Sequence, residues 1–177
     1  MKRNWLVAAL AAAVFAGGGC IFWPNEYVET ADYDIVLATG GTRRIALGVF
    51  RNFSGADRRF LCRRKDGRMI PLEYHRWLMS PELLLQRGMY DKFSIDPRND
   101  AAIPRVSCDL YRFEFDDARA TARFAAEFCI EHKGEAKVIR VDLSEPVTGE
   151  FPGRAGADAM SACIAKALAE LDGALAK

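Results

Sequence analysis

Cys20 is the residue of this chain whose setting most directly suggests a covalent reaction. It follows Gly17, Gly18 and Gly19, and ahead of these residues 5–16 are almost wholly apolar behind the basic pair Lys2 and Arg3. A short positive stretch, an apolar stretch and small residues before a cysteine are the anatomy of a secretory signal ending at a thiol that is acylated. Cleavage would then leave Cys20 at the head of the mature chain, carrying lipid acyl chains of the palmitate class. The run from Trp5 to Gly19 is about 15 residues, short of the ~20 needed to span a bilayer as a helix. Its three consecutive glycines also weaken any helical end, at roughly 1 kcal/mol each relative to Ala. Such signals usually place a large aliphatic residue three positions before the cysteine, and here that position is Gly17. Two other outcomes fit the same segment: ordinary cleavage after Ala16, and retention as an uncleaved anchor.

The remaining reactive side chains are few. Cys62, Cys108, Cys129 and Cys163 allow three full disulfide pairings, between which the sequence does not choose. Cys108 alternates with Val106 and Leu110, and Cys163 sits beside Ile164 on an expected helix, so both read as small buried hydrophobes. None of the four has a second Cys or His at zinc-ligand spacing, and no metal or cofactor is implied. His75 is wedged into Tyr74-His75-Arg76-Trp77 and reads as structural, while His132 reads as a solvated turn residue. Glu114, Asp116 and Asp117 form an acidic cluster at a strand end, read as a solvated turn rather than a catalytic carboxylate pair. No nucleophile elbow, P-loop, paired-His motif or dinucleotide fingerprint occurs. The basic run of Arg58, Arg59, Arg63 and Arg64 reads first as a wet strand face, and otherwise as a contact for an acidic partner or lipid headgroups.

The elements that must position these residues follow from periodicity and turn chemistry. Residues 1–19 are the signal, 20–30 a lipid-anchored tether with Pro24, Asn25 and Glu26, and 31–177 one domain of a size that supports a sizeable core. Without Lys2 and Arg3 the balance is 23 basic against 24 acidic residues, which gives no net drive toward nucleic acid. Strands are expected at 33–38 and 44–53, then a hairpin of 59–64 and 69–76 closed by Lys65-Asp66-Gly67-Arg68. Pro71 in the return strand points to an edge or a bulge. A helix should begin with Ser80 as N-cap and Pro81 at N1, bury Leu84, Leu85, Gly88 and Met89, and end near Phe93. After a polar loop at 96–104, the strand 105–115 shifts phase at Phe113, which suggests a bulge. Residues 120–130 alternate cleanly with Ala122, Phe124, Ala126, Phe128 and Ile130 on one face, the antiparallel pattern of one buried and one wet side. A turn at 133–135 leads into a strand at 136–143. A Pro/Gly-rich stretch at 146–156 precedes a closing helix at 158–176, whose apolar face is Met160, Ile164, Ala167, Leu168, Leu171 and Leu175.

The block Phe60-Leu61-Cys62-Arg63, then Tyr74-His75-Arg76-Trp77-Leu78-Met79-Ser80-Pro81-Glu82-Leu83-Leu84, resembles the auxiliary lipoproteins of ABC-type transport systems. That group contains the paraquat-inducible lipoprotein that works with mammalian-cell-entry (MCE) domain proteins. Tyr33-Asp34-Ile35, the strand 106–113, the Ala-rich strand after it and the closing helix with Ala159-Met160 fall in the order of the family pattern. The chain departs from it at Cys62, where Tyr is expected, at Leu78, where Ala is commoner, and in the loop Asn52-Phe53-Ser54-Gly55. The resemblance covers residues 30–175, and Arg76, Trp77 and Pro81 are its structural motif. It implies an α+β domain, a largely antiparallel mixed sheet with two helices on one face. It further implies partnership with an MCE-domain periplasmic protein and its ABC permease, and assembly of copies into a ring.

The expected function is therefore a non-enzymatic lipoprotein on the periplasmic face of the outer membrane of a Gram-negative bacterium, accessory to lipid or hydrophobic-solute transport. Ile21 agrees with that location, because an Asp after the acylated cysteine is the usual cue for inner-membrane retention. The alternative is a binding module of another envelope machine, for outer-membrane assembly or peptidoglycan synthesis. Acylation has a direct test: in cell fractionation, Cys20→Ser should move the protein from the membrane to the soluble periplasm. Continued membrane association of that variant would sink the acylation reading.

Overall fold

The computed structural model describes residues 28–98 and 100–176; the expected signal, Cys20 and the expected tether as far as Tyr27 lie outside them. The described residues form one α+β domain, an eight-stranded mixed sheet with two helices. The strands are β1 (Ala31–Tyr33), β2 (Arg44–Asn52), β3 (Arg59–Arg63), β4 (Met69–Trp77), β5 (Ser94–Ile95), β6 (Arg105–Asp116), β7 (Thr121–His132) and β8 (Glu135–Pro146). The helices are α1 (Pro81–Lys92) and α2 (Gly153–Leu175).

The clean alternation of β6 and β7 gives two long antiparallel ladders, β6 with β7 and β7 with β8. On its other edge β6 has two parallel neighbours placed end to end. β2 pairs with the stretch from Arg105 to Leu110, and β3 takes over at Phe115 and Asp116. Residues 53–58 step from one to the other, with the amide of Phe53 donating to the carbonyl of Leu110 at 2.7 Å. Outside β2 lies β5, and outside β3 lie β4 and then β1. The phase shift in 105–115 is a bulge between Leu110 and Arg112. A second irregularity in β2, between Leu47 and Phe50, accounts for its broken alternation. The hairpin turns at Asp66-Gly67, with Gly67 at φ +84°. Pro71 sits opposite Leu61 in the part of β4 that has no second neighbour, the edge position expected of it.

Both helices lie on one face and enclose a single core. α1 buries Leu84, Leu85 and Met89, and α2 buries Met160, Ile164, Leu168 and Leu171 against the inward side chains of β6 and β7. At the strand-to-helix corner Trp77 is fully buried. Its ring lies 4.3 Å from that of Phe60 and 5.1 Å from that of Phe113, centroid to centroid, with Phe115 at 6.1 Å. Pro81 is buried at the first helical position. Ser80 occupies the N-cap position, but its hydroxyl bonds the Glu82 carboxylate and makes no bond to a helix amide.

Four expectations are corrected. The first strand is Ala31–Tyr33 rather than 33–38. Residues 34–43 are irregular, and of their apolar side chains Ile35 is buried in the core and Leu37 half-buried against it, neither in a ladder. The amide of Val36 goes to Ser161 Oγ, and the carbonyl of Ile35 accepts from Arg87. A two-residue strand, β5, occupies Ser94–Ile95, between the expected helix end and the expected loop at 96–104, where no element was expected. The strand expected at 136–143 runs Glu135–Pro146, as long as its partner β7. The closing helix starts at Gly153, five residues before the expected 158, because Gly156 serves packing rather than a loop. A Cβ on Gly156 would lie 2.9 Å from Phe115 Cε1, so only glycine lets this first turn approach the sheet so closely.

Trp77 generates a two-part test. Trp77→Ala should destabilise the domain by about 3 kcal/mol in denaturant unfolding, through loss of a fully buried aromatic. Trp77→Phe should cost clearly less, since the indole N–H has no protein acceptor among the described residues. Equal midpoints for wild type and Trp77→Ala would contradict the burial.

Candidate functional site

The outward side chains at one end of the sheet converge on a cluster of arginines and carboxylates. Past the bulge, Phe113 and Phe115 point into the core, which sends Arg112, Glu114 and Asp116 to the helix-free face. Register then sets Arg123 of β7 opposite Glu114, and Arg63 of β3 opposite Asp116. The Arg63 guanidinium forks onto Glu114, with Nε donating to Oε1 at 3.0 Å and Nη2 to Oε2 at 3.3 Å. Arg112 donates to Asp142 at 2.8 Å and stands 3.9 Å from Glu114. Arg123 Nη1 is 3.8 Å from both Glu114 and Asp116. Asp116 accepts the amides of Ala118 and Arg119 at 3.1 and 3.2 Å, which fixes the turn into β7.

Glu114 and Asp116 are 4 % and 5 % exposed. The reading of this acidic cluster as a solvated turn is therefore corrected: arginine side chains cover two of its three carboxylates. Buried carboxylates persist because several cations offset their desolvation. The hydrogen bonds from Arg63 to Glu114 in turn push the Arg63 pKa further up, holding it charged. Beside the cluster lies a shallow, open cleft of about 410 Å³, to which Arg64, Lys65 and Arg119 also contribute.

The basic run of the sequence is thus divided. Arg63 and Arg64 belong to the cluster, and Arg64 stands 3.4 Å from Asp117. Arg59 pairs with Asp57 at 2.8 Å, and Arg58 donates to the carbonyl of Trp77 at 3.3 Å, so both serve the corner. Arg76 is exposed on β4, level with Arg59 and with Asp32 of β1. Trp77 and Pro81 are core residues of the corner. Cys20 lies outside the described residues. Among the site residues, Arg112, Arg119 and Arg123 carry no motif. The signal that would find Arg112 and Arg123 is the phase shift, which moves 112, 114 and 116 onto the face that 121 and 123 share, while Arg119 lies in the turn between the strands.

The other reactive residues have structural partners. His75 Nδ1 is 3.2 Å from the Tyr33 hydroxyl, and its ring packs 5.9 Å from Phe60. His132, read as solvated, is half-buried at the end of β7 and bonds the Ala102 carbonyl at 3.1 Å. No group of three or more potential metal ligands occurs among the described residues. Cys62, Cys108, Cys129 and Cys163 are all free thiols.

These features define a class: a single α+β domain whose helices cover one sheet face and whose other face carries charged side chains around an arginine–carboxylate cluster. No family model and no curated protein sequence matches the chain. Solved structures share its fold. A crystal structure of an uncharacterized protein superposes with a TM-score of 0.63 at 10 % identity, over 84 % of this chain and 97 % of the other. Protein XCC0632 from Xanthomonas campestris, of the family DUF330, superposes with a TM-score of 0.60 at 14 % identity, over 81 % of this chain and 93 % of its own. At these identities the likeness is one of fold.

Thiol reactivity tests the packing behind the site. Burial pushes the Cys163 thiol up to about 12, and drives the Cys108 and Cys62 thiols upward as well. A thiol held protonated is a poor nucleophile. At pH 8 the native domain should therefore label first at the partly exposed Cys129, with Cys62, Cys108 and Cys163 reacting only on unfolding. Rapid native labelling of Cys108 or Cys163, read by peptide mass spectrometry, would contradict this.

Proposed function

We propose that the chain is a non-enzymatic outer-membrane lipoprotein, anchored through Cys20, that acts as an accessory component of an ABC/MCE-type transport system for lipids or hydrophobic solutes. The observation that carries this reading is the order of motifs from Tyr33 to the closing helix, which resembles the auxiliary lipoproteins over the whole domain. The block richest in that resemblance, Tyr74 to Leu84, folds as strand, aromatic corner and Pro-started helix, so its Trp and Pro have a structural reason to be there.

The physical logic is that of a fixed docking unit. One acyl chain holds a protein only marginally at a membrane, whereas several together anchor it firmly. The tether 20–30 supplies about ten residues, which reach at most roughly 35 Å when extended. The domain would then stand off the bilayer while remaining bound to it. The helix-free face supports docking, because Phe53 and Tyr111 stack on it 5.8 Å apart with both rings exposed, and the Arg51 guanidinium lies 5.5 Å from the Phe53 ring centroid. Aromatic and arginine side chains on an otherwise polar surface are the composition that protein interfaces favour.

Affinity purification of the tagged full chain from detergent-solubilised membranes tests the assignment. The expected companions are an MCE-domain protein and its ABC permease. Recovery of outer-membrane assembly or peptidoglycan-synthesis components in their place would overturn the transport role and leave the chain as a module of that other machine.

A further inference from the structure

We propose that the cleft beside Glu114 and Asp116 is a binding site for a phosphate group, held by Arg123, Arg119, Arg64 and Lys65. The argument is one of donors left over after the internal pairs are counted. Arg63 is committed to Glu114 through two hydrogen bonds, and Arg112 to Asp142. The other four cations are not committed in this way. Arg123 has only 21 % of its side chain exposed, yet donates no hydrogen bond to any described residue, and its nearest carboxylate oxygens are 3.8 Å away. Arg119 likewise stands 3.9 Å from Asp116, and Arg64 makes a single long contact of 3.4 Å to Asp117. Lys65 has no ion-pair partner among the described residues and lines the same cleft.

Charge points the same way. Six cations face Glu114, Asp116, Asp117 and Asp142, an excess of two positive charges around a cleft of about 410 Å³. The carboxylates act as the frame: Glu114 holds Arg63 and Asp142 holds Arg112, while Glu114 and Asp116 stand 3.8 Å from Arg123. The four cations then line one depression from three places in the chain, namely the end of β3 with the turn after it, the β6–β7 turn and the start of β7. Planar guanidinium forks match phosphate oxygens in paired hydrogen bonds, and a charged donor with little solvent around it gains most from such an acceptor. The ligand chemistry is a phosphomonoester or phosphodiester, whether free or carried by a lipid headgroup. This site does not depend on the transport reading, since phosphate binding would survive the loss of any MCE-domain partner.

Calorimetry on the full chain in detergent micelles tests it with three probes: inorganic phosphate, glycerol 3-phosphate, and phosphatidylglycerol mixed into the micelle. Phosphatidylcholine serves as the zwitterionic comparison. Saturable one-to-one binding of at least one of the first three is expected. Arg119→Gln with Arg123→Gln should weaken it at least about tenfold, the size of one lost charge-assisted hydrogen bond. Arg140→Gln, which removes an arginine paired with Glu127 elsewhere on the same face, should leave it unchanged. Binding of the soluble phosphates assigns the free ion or ester; binding of phosphatidylglycerol alone assigns the headgroup. If Arg123→Gln impairs folding, Lys65→Gln with Arg119→Gln, both at exposed positions, gives the same reading. No saturable binding of any probe, equal binding of phosphatidylcholine, or equal loss with Arg140→Gln would overturn the proposal.

Discussion

The strict two-residue alternation of β6 between Phe113 and Asp116 is the constraint on which both halves of this domain depend. Phe113 and Phe115 enter the core and meet Trp77, Phe60 and Phe124. Glu114 and Asp116, one step out of phase, leave by the opposite face and gather the arginines. A slip of one residue would place two carboxylates among aromatic rings and two phenylalanines in water. The bulge between Leu110 and Arg112 is what sets that phase, because the stretch before it pairs with β2 and the end of the strand with β3. Core and site are thus two readings of one register.

The sequence makes the long-period features legible. Alternation in 120–130 foretells β7, the Asp-Gly turn foretells the β3–β4 hairpin, and Ser80-Pro81 foretells the start of α1. It misleads where an apolar residue is buried by a neighbour distant in sequence. Ile35 and Leu37 read as a strand because they are apolar, yet they pack on the core, Ile35 buried and Leu37 half-buried, from an irregular segment. Gly153 and Gly156 read as loop because glycine is a poor helix former, yet both lie in the first turn of α2, and at Gly156 the close approach of Phe115 demands it. Most of the candidate site was hidden for a related reason. Arg112, Arg119 and Arg123 are ordinary surface residues until register brings them to one point, and no local pattern carries that distance. Glu114 and Asp116 were visible as a cluster, but their burial depends on side chains from three other segments.

The fold joins two kinds of pairing with different demands. The ladders of β6, β7 and β8 form between neighbours in sequence, through short turns at 117–120 and 133–134. The parallel contacts of β2 and β3 with β6 join segments some fifty residues apart. Non-local pairing must first overcome loop-closure entropy. The aromatic group around Trp77 and the Arg63–Glu114 fork, which both cross that junction, therefore secure the part of the sheet that local contacts cannot.

The outer edge of β8 has a consequence for behaviour in a crowded compartment. It is a twelve-residue strand whose one partner among the described residues is β7, so its far side offers a row of amides and carbonyls outside any ladder of the described sheet. An unprotected edge of that length is a template for chain-to-chain association. Here Glu135, Lys137, Arg140, Asp142 and Glu145 punctuate it with charges of both signs. Lys137 reaches the C-terminal turn of α2 through the carbonyl of Ala174, and Lys166 of that helix holds Glu145 at the other end. Any strand approaching this edge would have to strip water from those charges, so the longest open border of the sheet resists aggregation without being covered.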